Sequence, residues 1–199
     1  QLPPTIRSNQ PVVKAGLSTT MFERAMELYK ETTGQKGRIS RMLRVQYRMN
    51  ETIADWASHA LYGGQLQSHE TVKTRTLAQL PGLENADCAD IPLLLIDTAG
   101  CAMSESTNAA GSRFNEGEAQ LVVQHVRMLL KMGLAQEEIA VISPYNGQVE
   151  ILKLALLQEA PKLQIRSVDG FQGGEREAVV LSLVRSSERG GRSGIGFLR

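Results

Sequence analysis

Cysteine, aromatic residues and long apolar runs are all scarce in this sequence, and each shortage removes a class of protein. The 199 residues hold 2 cysteines, Cys88 and Cys101, without CxxC spacing, so neither a disulfide framework nor a redox motif is expected. His59, His69 and His125 lie far apart, which removes the usual zinc-ligand spacings. A domain of this length buries roughly 70% of its unfolded surface and needs no staple. Sparse cysteine fits a reducing compartment, the cytosol or the nucleus. Aromatic residues make up only 5%, which argues against extensive base stacking by this chain. No apolar run approaches the ~20 residues of a membrane span, and those at 91–96 and 179–184 have the length of buried strands. Nor is there an excess of one charge: 22 Lys and Arg against 21 Asp and Glu leave +1, which neither demands nor excludes a nucleic-acid partner. No segment reads as a signal peptide.

What the sequence does contain is an alternation of strand and helix patterns. Ser18 is a candidate cap for a helix over 18–33, where Met21, Phe22, Ala25, Met26 and Tyr29 recur at helical spacing before Gly34. A short strand at 42–46 precedes a helix that should turn Ile53, Trp56, Ala57 and Ala60 toward the core and end at Gly63 and Gly64. Trp56, Met21, Met26 and Met128 are expected core residues. Residues 67–90 read as a surface connection. The nearly unbroken apolar run 91–96 predicts a strand covered on both faces, as in parallel sheets. Asn115 and Glu118 form a capping pair for a helix whose apolar face carries Leu121, Val122, His125, Val126, Leu129 and Leu130, closed by Gly133. A strand at 139–142, a helix at 149–157 and strands at 165–168 and 178–184 complete an α/β, doubly wound parallel sheet.

Ligands of open parallel sheets sit at the carboxyl ends of the strands. The candidate loops there are Gln1-Leu2-Pro3-Pro4, Gln46-Tyr47-Arg48-Met49-Asn50, Ser143-Pro144-Tyr145-Asn146-Gly147-Gln148 and the stretch from Ser167 through Asp169, Gly170, Phe171, Gln172, Gly173 and Gly174 to Glu175. At these residues the sequence resembles the superfamily 1 helicases of the up-frameshift type (DNA2/NAM7-like), in particular the immunoglobulin mu-binding protein 2 branch. QLPP, QYRM, SPYN and VDGFQG followed by glutamate occur in the order of that family, and the Leu61-Tyr62-Gly63-Gly64 turn and the Leu183-Val184-Arg185-Ser186 strand end match it as well. Gly174 and Ser187 depart from it, standing where relatives tend to carry a basic residue and an asparagine.

The resemblance implies a RecA-like, P-loop NTPase type second motor domain over 17–199, preceded at 1–16 by the tail of a first RecA-like domain. Both ends read as cuts, the second before the final arginine motif expected after Phe197 and Leu198. The GxxxxGK(S/T) phosphate loop and the acidic magnesium-binding strand end of the family are absent from the sequence. The chain by itself is therefore expected to be inactive, with ATP and Mg held mainly by a first domain. Implied partners are that domain and single-stranded RNA or DNA, tracked 5′ to 3′, with no membrane.

By the same resemblance Arg48 is an arginine finger, its planar fork suited to phosphate oxygens; the plainer reading is a surface salt bridge. Gln1 couples the γ-phosphate to the second domain, or is a polar loop residue. Gln172, Gly173 and Glu175 face phosphate and ribose, or form an ordinary strand connection. Tyr47 stacks on the nucleotide or packs beneath Arg48. Ser143, Tyr145, Asn146, Arg185 and Ser186 hold a single strand through its backbone, although Asn146 also suits a helix cap. Two other classes stay open. A nucleic-acid or protein scaffold without catalysis would lack a phosphate loop in the full gene. A GTPase would account for the stretch from Leu94 to Gly100 (LLIDTAG), but would need an upstream phosphate loop and an NKxD segment, and the sequence shows neither.

Overall fold

The computed structural model describes residues 6, 8–33, 41–83 and 88–186. The chain divides into two compact units, Gln1–Arg44 and Val45–Arg199. The first contains α1 (Pro11–Leu17) and α2 (Met21–Thr33). The cap of α2 is Thr20 rather than Ser18: the Glu23 amide donates to Thr20 Oγ1 at 3.2 Å and the Thr20 amide donates to the Glu23 carboxylate at 2.7 Å. This reciprocal box fixes the helix start two residues later than the apolar spacing alone suggests. Met21 and Phe22 are exposed and Met26 is half-buried, so the expected burial of Met21 does not occur.

The second unit opens with β1 (Val45–Gln46), which pairs in parallel with β2 (Gln67–Ser68) around α3 (Glu51–Tyr62). The strand expected over 42–46 is thus confined to its last two residues. Asn50 caps α3, accepting from the Thr52 amide. The buried stripe of α3 is Ala54 and Ser58, not the expected Ile53, Trp56, Ala57 and Ala60; Trp56 is 73% exposed. The physical reason is a hydrogen bond from Ser58 Oγ to the Leu66 carbonyl at 2.7 Å, which turns the polar face of the helix toward β2. One residue of helix is about 100°, enough to exchange the two faces.

After the short α4 (Glu70–Lys73), the run 91–96 forms no strand, and Leu93 and Leu95 are 61% and 84% exposed. Sequence periodicity cannot say whether an apolar run finds a ladder partner, and among the described residues this one does not. The hairpin β3 (Ser106–Thr107) and β4 (Arg113–Phe114) follows instead.

The core is built from α5 (Glu116–Lys131), β5 (Ile139–Ser143), α6 (Asn146–Leu156), β6 (Gln164–Ser167) and β7 (Ala178–Leu181). The sheet is parallel in the order β6-β5-β7. Central β5 is buried at every residue, as its apolar sequence requires. Val126, Leu152 and Leu156 are fully buried, and Met128 packs against this core as expected. Gly133 follows α5 and donates back to the Leu130 carbonyl. This is the α/β parallel architecture anticipated from the strand and helix alternation, and it sets the ends of β5, β6 and β7 side by side.

His125, on α5, is half-buried, and burial pushes its imidazole pKa below the ordinary 6.5. The folded chain therefore resists a proton that the unfolded chain accepts. The His125 contribution is whole above the unfolded pKa and is lost as pH falls through the folded value. Thermal midpoints of wild type and His125→Gln between about pH 8 and pH 5 should converge toward acid; parallel curves would contradict this.

Candidate nucleotide edge and strand grip

The loop after β1 is folded by one side chain. Gln46 Oε1 accepts from the Arg48 and Met49 amides at 2.7 and 2.9 Å, while its Nε2 donates to the Met49 carbonyl and to Ser68 Oγ, each at 2.6 Å. This holds Arg48 at the carboxyl end of β1. The Tyr47 ring lies 4.4 Å from that of His69, which follows β2 and caps α4. Past β6, a single 3-10 turn (Asp169–Phe171) leads to Gln172, which is exposed, and to Gly173 at φ 83°. A Cβ on Gly173 would meet nothing within 4 Å, leaving the backbone open to a close approach. At Gly174 a Cβ would come within 2.9 Å of the Phe171 ring, so a basic residue there requires that ring to shift.

The two loops meet through Arg48 Nε and Glu175 Oε2 at 3.1 Å, with side chains 54% and 70% exposed. An exposed pair of this kind contributes about 0–1 kcal/mol. Among the described residues there is no group of three His, Cys, Asp or Glu side chains that could hold a metal ion. Gln1 lies outside the described residues.

The second cluster surrounds the end of β5. Ser143 is buried, and its Oγ accepts from the Tyr145 amide at 3.3 Å. Tyr145 occupies the cap position of α6, so Asn146 is the first helical residue and stands exposed. Gly147 permits the approach of the β4 backbone: a Cβ would fall 2.8 Å from the Arg113 carbonyl oxygen and 3.1 Å from that of Ser112. Arg185, only 13% exposed, donates through Nε to Glu105 Oε2 at 2.7 Å and through Nη1 to the Tyr145 hydroxyl at 3.4 Å. The Tyr145 hydroxyl and, after it, Glu105 hold the Arg185 guanidinium pKa above its ordinary value. The Ser186 amide donates to Glu105 Oε2 at 3.1 Å, and Ser186 Oγ accepts from the Glu105 amide at 2.9 Å. Arg113 shares the same carboxylate through Oε1.

Glu105 and Arg113 carry no sequence motif that would have singled them out, and Gln148 closes the candidate loop 143–148 without a role of its own there. Gln148 is fully buried, accepting from the Asn115 amide at 2.7 Å and donating to the Asn115 carbonyl at 3.2 Å and to Ser182 Oγ at 2.9 Å. The Asn115 and Glu118 pair is only half the expected box. Asn115 Oδ1 accepts from the Glu118 amide at 3.0 Å, but the Glu118 carboxylate leaves the helix and reaches the end of β7. The physical reason is that Gln148 has already taken the Asn115 amide. The Asp97 turn of the LLIDTAG stretch is local, with Oδ1 accepting from the Ala99 amide at 2.9 Å.

A parallel sheet whose strand-end loops carry these residues is the arrangement of a RecA-like helicase domain of superfamily 1, and the chain belongs to the AAA domain family, which matches residues 17–199. It is 45% identical over 199 residues to the DNA-binding protein SMUBP-2 of Rattus norvegicus, covering 100% of this chain and 19% of that protein. It is 39% identical over 210 residues to the DNA polymerase alpha-associated DNA helicase A of Saccharomyces cerevisiae, covering 100% of this chain and 30% of that protein. The ATP-dependent helicase NAM7 of the same yeast is 32% identical over 209 residues, 20% of its length. The chain thus spans less than a third of each of these relatives.

Proposed function

We propose that this chain is the second RecA-like motor domain, over 17–199, of an ATP-dependent helicase that moves 5′ to 3′ along single-stranded RNA or DNA and separates duplexes. The observation that carries this reading is the meeting of the QYRM loop, which follows β1, and the FQGGE loop, which follows β6, through Arg48 and Glu175. Bound ATP supplies the phosphoryl transfer. Arg48 delivers a fixed charge to the phosphate oxygens as negative charge develops in the transition state. Gln172 and the open backbone of Gly173 approach the phosphates, Glu175 accepts from a sugar hydroxyl once Arg48 has left it, and Gln1 couples the γ-phosphate to this domain. Tyr145, Asn146, Arg185 and Ser186 grip the strand backbone, with Ser143 acting from beneath as the acceptor for the Tyr145 amide. The described residues contain no helix long and apolar enough to cross a membrane, and the sparse cysteine supports work in the cytosol or the nucleus.

The names of the relatives support the same reading, two of them being called helicases and one a DNA-binding protein. The purified 199-residue chain, folded by circular dichroism, should show no ATP turnover above background with or without single strands, because no phosphate loop is present in it. The full-length protein should hydrolyse ATP when single strands are added and should separate duplexes. A full-length protein that binds strands without turnover would instead be the scaffold, and a preference for GTP would revive the GTPase reading.

A further inference from the structure

Val184 is a β-branched, fully buried residue with φ 73°, a conformation that such side chains almost never adopt. The Arg185 amide donates to the Leu183 carbonyl at 2.8 Å across it. This is a γ-turn of the rare, strained kind with positive φ at its centre. It lies immediately before Arg185 and Ser186, so it sets the direction in which the chain leaves β7.

A turn of this kind persists only where its surroundings enforce it, and the enforcing groups come from the start of α5. The Glu118 carboxylate accepts from the Leu183 and Val184 amides, each at 2.7 Å, and from Ser182 Oγ at 3.0 Å. Asn115 Nδ2 donates to the Val184 carbonyl at 3.3 Å. The amides of the first two residues of the turn, Leu183 and Val184, are thus claimed by one carboxylate, in the short, charge-assisted geometry that is the stronger class of hydrogen bond. Beyond the turn, Glu105 takes the Arg185 guanidinium and the Ser186 amide.

We propose that Glu118 is a positioning residue for the strand grip: its carboxylate holds the Leu183–Arg185 γ-turn closed, and the turn in turn aims Arg185 at Tyr145. This rests on the reading of Arg185 as a strand contact. Glu118 touches no strand itself and acts through the backbone of the β7 exit.

The test is the strand dependence of ATP hydrolysis by the full-length protein, which separates the half-saturating strand concentration from the rate at saturation. Glu118→Gln puts an amide where a second acceptor is needed and should raise the half-saturating concentration about tenfold, the equivalent of one charge-assisted hydrogen bond, with the saturated rate unchanged. Glu118→Asp keeps the charge, withdraws the oxygens and should show a smaller shift, which keeps the proposal testable if the glutamine variant does not fold. Val184→Gly in the Glu118→Gln background removes the Cβ that opposes positive φ and should recover part of the affinity, a result that general destabilisation would not give. Arg185→Ala serves as the reference. If Arg185→Ala shifts the half-saturating concentration and neither Glu118 variant does, the positioning role is wrong while the grip stands. A loss of saturated rate and thermal midpoint together, without a shift, also overturns it. If Arg185→Ala itself causes no shift, the grip reading fails and takes the positioning role with it.

Discussion

Replacing Arg48 with alanine in the full-length protein is expected to lower strand-stimulated ATP turnover by about 1,000-fold, while single-strand affinity stays within a few-fold. Losing the exposed pair with Glu175 removes about 0–1 kcal/mol, whereas a 1,000-fold fall in rate corresponds to about 4 kcal/mol in the barrier. The two readings of Arg48, finger and surface salt bridge, are therefore separated by magnitude. Steady-state ATPase at saturating strand makes the measurement. A fall of only a few-fold would return Arg48 to the role of a surface ion pair.

The second large effect is on stability. Gln148 is fully buried and joins the start of α5, the start of α6 and the end of β7 through its contacts with Asn115 and Ser182. Gln148→Ala leaves the Asn115 amide, the Asn115 carbonyl and one Ser182 contact without that partner in a place water does not readily reach. Unmade bonds to buried groups cost about 1–3 kcal/mol each, so a loss of about 3 kcal/mol is expected. For a domain of this size that lowers the thermal midpoint by roughly 10 °C. A shift of about 2 °C or less would mean that the site relaxes or hydrates freely and that the network does not hold the three segments together.

Much of the core was legible because its residues obey simple periodicities. The apolar run of β5, the 3.6-residue repeat of α5 and the glycine after it dictate elements that the structure contains within a residue or two. The QYRM, SPYN and VDGFQG motifs also fell after strands, since a strand followed by polar and glycine residues marks the edge of a parallel sheet. The failures have a common cause. Residues 91–96 and the face of α3 were assigned from apolar content, but pairing and helix rotation are decided by neighbours distant in sequence, such as the Leu66 carbonyl that captures Ser58. Glu118 looked like a local cap for the same reason: its amide does bond to Asn115, and nothing within three residues reveals that its carboxylate serves a loop 65 positions away. Glu105 was invisible because a lone glutamate in a polar loop carries no pattern until Arg113, Arg185 and Ser186 are brought to it.

Two strand-end clusters are proposed to carry separate tasks, hydrolysis at Arg48 and grip at Arg185. The most direct test is the rate of ATP hydrolysis by the full-length protein as a function of single-strand concentration, with Arg48→Ala and Arg185→Ala compared side by side. Arg48→Ala should collapse the plateau and leave the midpoint near wild type, and Arg185→Ala should move the midpoint to higher strand concentration with the plateau retained. The opposite assignment, a moved midpoint for Arg48→Ala and a collapsed plateau for Arg185→Ala, would contradict the account.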